Sequence, residues 1–262
     1  MLNEPLLKPI RTYFMSNRNF LISFYKAVII SLCLSVFVTA CKKDRVLPDP
    51  FPIAPPVVAD TTPISKSYLA LGDSYTIGSS VSIEERFPVQ TRTRLMLAGL
   101  RMSQPNIIAV SGWTTGSLLG SLNQQPPANN YDVVTLLIGV NNQYQGRSQE
   151  EYRTQFSTLL DKAIVCAGGR RNRVFVLSIP DYSVMPVAQN SDTAKISREI
   201  NEFNAINKQI TQAAGIAYLD ITPISREARQ DPSLIAGDGL HPSGKQYAQW
   251  SALLFPLIQA AF

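Results

Sequence analysis

Five short apolar runs constrain the fold of this 262-residue chain more than any other feature. They are Tyr68–Leu71, Ile107–Val110, Val133–Ile138, Val174–Ile179 and Ile216–Ile221. Each is nearly continuous and rich in branched aliphatic residues, where an amphipathic strand would alternate. A strand with apolar side chains on both faces must be covered on both faces. Helical patterns lie between the runs. Ser148 and Glu151 have capping-box spacing, and Tyr152, Phe156, Leu159, Leu160 and Ala163 follow on one stripe, stopped by Gly168-Gly169. A second helix starts near Asp192 and carries Ile196, Ile200, Phe203, Ile206 and Ile210. A third starts at Ser243 and presents Tyr247, Trp250, Leu254 and Leu257, with Pro256 expected to kink or end it. Strands alternating with helices predict an α/β domain of three layers, α/β/α, around a five-stranded, mainly parallel sheet. In such sheets, sites form at the carboxyl ends of the strands.

The N-terminus reads as an address. Arg18 and Lys26 precede an uncharged apolar stretch, Ala27–Ala40, which is shorter than the ~20 residues that a membrane-spanning helix needs. It ends Val38-Thr39-Ala40-Cys41, which resembles a bacterial lipobox. That resemblance makes Cys41 the lipidated first residue of the mature protein; an ordinary signal peptide or a short uncleaved anchor is the alternative. Met15 offers a second possible start. Residues 42–65 are proline-rich and aperiodic, as a tether would be. The expected organisation is a lipoprotein signal over 1–41, a tether over 42–65 and the α/β domain over 66–262. The expected location is the bacterial cell envelope, periplasmic or at the cell surface, with the membrane reached through lipid on Cys41.

The net charge of +5 comes largely from this leader. Without Lys8, Arg11, Arg18, Lys26 and Glu4 the remainder holds 20 basic and 18 acidic residues, which gives no case for nucleic acid as a partner. The densest basic cluster, Arg170, Arg171 and Arg173, reads as solvated. Cys166 is the only cysteine of the body, so no disulfide can form within it, and it reads as a small buried residue. With one histidine and that one cysteine, no zinc motif assembles. Neither a Walker loop nor a dinucleotide fingerprint is present, so no metal and no cofactor is expected.

Polar and small residues follow each strand. Gly72-Asp73-Ser74 follows the first, Ser111-Gly112-Trp113-Thr114 the second, and Gly139-Val140-Asn141-Asn142 the third. Gly237-Asp238-Gly239-Leu240-His241 follows the fifth. His241 is the only histidine, hence the only imidazole base for a nucleophilic serine. Asp238, three residues earlier, is spaced to reach one ring nitrogen and fix its tautomer.

These four blocks, in this order and each after its strand, resemble those of the SGNH, or GDSL, hydrolases, and the resemblance covers about Ser67–Phe262. It implies a flavodoxin-like fold and a serine esterase or acylhydrolase that works through an acyl-serine. By the same resemblance Ser74 is the nucleophile and His241 the general base, oriented by Asp238. The oxyanion hole consists of the backbone N–H groups of Ser74 and Gly112 and the side-chain amide of Asn141. Two positions depart from the common pattern, Trp113 and Asn142, where many members carry aspartate. Trp113 would line an acyl or sugar pocket or serve in packing; Asp181 would touch substrate or cap a turn. The implied substrates are short-chain, lipid or acetylated-carbohydrate esters, the last suiting a surface enzyme. A glycan- or lipid-binding lipoprotein without catalysis and an acyltransferase using the same serine are the rival readings. If His241 is the base, kcat/KM falls as pH drops through the ordinary histidine range, near ~6.5.

Overall fold

The structure, a computed structural model, describes residues 65–262. The leader, Cys41 and all of the tether except Ser65 lie outside the described residues. The chain enters through β1 (Tyr68–Gly72), every residue of which is buried. Next come α1 (Ser74–Ile77), α2 (Phe87–Leu97), β2 (Asn106–Ala109), α3 (Thr115–Gln124), β3 (Val133–Leu137), α4 (Val140–Tyr144) and α5 (Gln149–Cys166). The chain continues with β4 (Val174–Leu177), α6 (Thr193–Ala213), β5 (Ala217–Leu219), α7 (Thr222–Arg226) and α8 (Gly244–Gln259).

The five strands form one sheet in the order β2-β1-β3-β4-β5, and every pair is parallel. The register puts Ile107, Ala70, Thr135, Phe175 and Ala217 in one row across the sheet. Helices cover both faces: α2 packs on α8 in one layer, and α3 on α5 on α6 in the other. The chain moves outward from β1 to β2, then crosses back to β3. That reversal opens a crevice at the carboxyl end of β1, where Ser74 follows.

Beneath Ser74, the α2–α8 layer carries an aromatic cluster. Phe87, Tyr247 and Trp250 are fully buried with centroids 5.0–6.3 Å apart, and Tyr75 joins at 6.4 Å from Trp250. Each ring stabilises the fold by roughly 1.5–3 kcal/mol through its burial. Two predicted helix features differ in detail. Ser148 caps α5 by accepting from Glu151 N at 3.1 Å, but the Glu151 carboxylate takes a hydrogen bond from Gln155 instead of closing the box. Helix α8 runs through Pro256 to Gln259, because so near the end the ring forfeits little pairing. The basic cluster is also less free than its composition implied. Arg170 donates to the Ala167 and Tyr131 carbonyls, Arg171 to that of Ala214, and Arg173 lies 3.5 Å over the ring of Phe262. Cys166 is buried with its thiol pushed up by burial. Among the described residues no helix is long and apolar enough to cross a membrane.

Candidate active site

Strand β1 delivers Asp73 and Ser74 to the crevice. Asp73 caps α1, its Oδ1 accepting from Tyr75 N at 3.0 Å. Ser74 is therefore the first residue of a helix, where the backbone N–H has no partner within the helix. Asp73 is completely buried, and burial pushes its carboxyl up to about 7 against the backbone N–H groups of Tyr75 and Gly139. Its Oδ2 has no hydrogen-bond partner among the described residues. Ser74 is 6% exposed, open enough for attack.

Asp238 and His241 lie on the loop before α8. An antiparallel bridge between Ile235 and Pro242 and the bond from Ala236 N to His241 O, 2.8 Å, close this loop. His241 Nδ1 sits 2.6 Å from Asp238 Oδ2. The other carboxylate oxygen accepts from the backbone N–H groups of Leu240 and His241, both at 3.0 Å. Burial raises the Asp238 carboxyl, but His241, Ser80 and these N–H groups outweigh it and hold it well below the usual range. Asp238 is thus a fixed negative charge on one imidazole nitrogen, the arrangement that orients a base. The ring of Tyr75 packs 5.3 Å from that of His241.

Gly112 and Asn141 flank Ser74 from β2 and β3. Gly112 has φ +84°, and an added Cβ would meet nothing within 4 Å. The backbone conformation, not crowding, requires glycine there. Gly139 has φ +133° and is crowded as well: a Cβ would come 2.6 Å from the Tyr152 ring. Asn141 Nδ2 is oriented by the Trp113 carbonyl at 3.0 Å. Next to it, Asn142 is fully buried and clamps the start of α3. It accepts from Thr115 N at 2.9 Å and donates to Thr115 Oγ1 at 2.7 Å. An aspartate could accept there but not donate, which gives this departure from the family pattern a structural meaning.

Ser74, Asn141 and His241 line one cavity of about 390 Å³. Asp181 and Trp113 lie outside its lining. Asp181 is fully buried, caps the turn at Tyr182–Val184, and pairs with Arg226 at 2.9 Å and Ser197 at 2.7 Å. Burial raises its carboxyl, and these donors hold it below the usual range. Trp113 is half-buried and borders an open groove with Ser117, Ser121 and Gln124. Sequence reasoning missed Ser80. Its φ is +66°, the one positive value at a non-glycine among the described residues, and its hydroxyl donates to Asp238 Oδ2 at 2.6 Å. No local signal marks it, because the bond spans 158 residues of sequence.

A model of the GDSL-like lipase/acylhydrolase family matches residues 70–249. No curated protein matches the sequence. Among solved structures, the chain is similar to TesA at 16% identity and a TM-score of 0.56, over 75% of this chain and 100% of that one. It is similar to Axe2, an acetylxylan esterase from Geobacillus stearothermophilus, at 18% identity and 0.55, over 74% and 94%. A psychrotrophic esterase, EstA, from Pseudoalteromonas sp. aligns at 17% identity and 0.54, over 75% and 98%. At these identities the structural likenesses establish the fold.

Proposed function

The chain belongs to the GDSL-like lipase/acylhydrolase family, and on that premise we propose that it is a serine esterase working through an acyl-serine. The observation that carries the proposal is a base held 2.6 Å from an ionised carboxylate and lining the same cavity as Ser74. Ser74 Oγ attacks the ester carbonyl carbon as its proton passes to His241 Nε2. The carbonyl oxygen becomes an oxyanion facing the N–H groups of Ser74 and Gly112 and the Asn141 amide. Donors already in place for charge that appears only in the transition state are worth ~3–4 kcal/mol each. The carbon–alkoxy bond breaks, Nε2 returns the proton to the leaving alcohol, and the acyl group stays on Ser74. Water then attacks, giving its proton to Nε2. Collapse of the second tetrahedral intermediate releases the carboxylic acid and restores the serine hydroxyl.

Asp238 supplies the permanent charge that makes the imidazolium tolerable. Hydrolysis of p-nitrophenyl acetate by the full chain and by Ser74→Ala tests the reading. A parental rate that falls roughly a thousandfold or more in the variant is expected. A rate that survives the substitution removes Ser74 as nucleophile.

We also propose that residues 1–41 are a lipoprotein signal and 42–65 a tether, with the domain anchored in the cell envelope through lipid on Cys41. The leader's order of charge, apolar core and lipobox-like end supports this. Loss of membrane fractionation in Cys41→Ala is the expected outcome.

A further inference from the structure

The Ser74 cavity is walled mainly by apolar side chains from separate parts of the chain. Val140 and Tyr144 come from α4, Tyr182 and Val187 from the loop after β4, Ile196 from α6, and Leu240 from the loop of the base. The Tyr182 wall is fixed: its hydroxyl donates to Gln143 Oε1 at 2.8 Å, and Gln143 Nε2 donates to Glu199 at 2.8 Å. Beyond Ser74, Asn141 and His241, the only lining side chains among the described residues with a polar group left are Ser191, Tyr75 and Tyr144. A sugar ring buried here would leave hydroxyls unpaired, which is costly. An acetyl group, little larger than two waters at roughly 30 Å³ each, would leave most of the 390 Å³ empty. At the mouth, Val187 is 52% and Tyr144 73% exposed, apolar surface that nothing among the described residues covers.

We infer that this cavity is the acyl site for esters of medium-length straight-chain acids, and that Val187 and Ile196 set the chain-length selectivity. At roughly 30 Å³ for each water-sized group, and with part of the space open to solvent, about six to ten acyl carbons fit. The inference rests on the acyl-serine chemistry proposed above and adds the substrate class to it.

The test is a series of p-nitrophenyl esters from acetate through hexanoate and octanoate to palmitate, run on the full chain. Each methylene withdrawn from water is worth up to about fourfold in kcat/KM. An increase of about tenfold or more from acetate to octanoate is expected, followed by a fall at palmitate, whose chain overruns the cavity. Val187→Asp and Ile196→Phe lower the octanoate-to-acetate ratio about tenfold; as a ratio on one preparation, it cancels any loss of folded protein. The Ser74→Ala variant, which keeps the walls, binds octanoate and not acetate in calorimetry. Acetate preferred over every longer ester, with ratios unmoved in both variants, overturns the acyl site while leaving the esterase intact. So does a rate that climbs with the length of the alcohol and not of the acid. Absence of Ser74-dependent turnover of any ester sinks the esterase reading instead. Octanoate binding by Ser74→Ala then decides the cavity on its own, and no binding overturns it.

Discussion

Removing the Ser80 hydroxyl separates a positioning role from a structural one. Asp238 accepts four hydrogen bonds, and Ser80 shares Oδ2 with the ring of His241. A hydrogen bond to a charged group is worth ~1.5–3 kcal/mol, but Ser80 is exposed and the Asp238 side chain is 30% exposed. Water replaces part of the lost donor, which brings the cost to about 1 kcal/mol. The left-handed backbone at Ser80, φ +66°, costs a further ~1 kcal/mol for any residue but glycine.

Ser80→Ala therefore loses the bond and keeps the strain, and its Tm falls by about 2–4 °C. Ser80→Gly loses the bond and sheds the strain, so its Tm stays near the parent's. Activity follows the bond alone. On the neutral plateau kcat/KM falls about three- to tenfold in both variants, because a carboxylate with one fewer anchor holds the imidazole less well. Ser80→Thr keeps a hydroxyl on a strained backbone, so it restores activity while lowering Tm. A Ser80→Gly enzyme with the parent's kcat/KM would refute the argument.

Two further predictions concern stability. The Asp73 carboxyl is raised from 3.8 to about 7 in the fold, so the native state holds its proton where the unfolded chain has lost it. That contribution is complete below about pH 4 and is lost as pH rises to about 7, a swing of at most about 4 kcal/mol. Melting curves from pH 5 to 8 should show a Tm that falls with pH in the parent and a flatter slope in Asp73→Asn; parallel slopes would contradict it. Asn142→Ala strands the buried Thr115 N–H and should cost ~1–3 kcal/mol in denaturant titrations. Asn142→Asp, which still accepts from that N–H, should cost less, and equal losses in the two would deny the bond from Thr115 N its role.

The sheet was readable in the sequence because its inner strands β1, β3 and β4 are buried on both faces, which forces continuous apolar runs such as Val133–Ile138, while the edge strands β2 and β5 keep enough apolar residues to show despite their partial exposure. The strand order was not, since a run says that it pairs and not with which neighbour. Helix α2 escaped notice because Phe87, Pro88, Val89, Thr91 and Leu95 are its buried residues, a set with proline and a polar member in place of a clean stripe. Helix α3 escaped because its glycines and serines read as loop. At the site, Ser74, Asn141, Asp238 and His241 stand in short blocks that the sequence displays, and the fold brings the first two and His241 to one cavity with Asp238 behind the ring. Ser80, the clamp from Asn142 to Thr115 and the pairing of Asp181 with Arg226 were not readable, because each depends on contacts between distant segments. The cavity walls escaped for the same reason, coming from stretches far apart in the chain.

Ser74 follows the first strand, and His241 precedes the last helix. That helix, α8, docks on α2, which begins soon after the serine, at Phe87. A chain synthesised from its N-terminus thus acquires its proposed nucleophile first and its proposed base last. No fragment that stops short of residue 241 owns both halves of the site. Hydrolysis itself becomes a readout of completion: a molecule truncated during synthesis, or clipped within the final loop, retains most of the sheet and none of the paired chemistry.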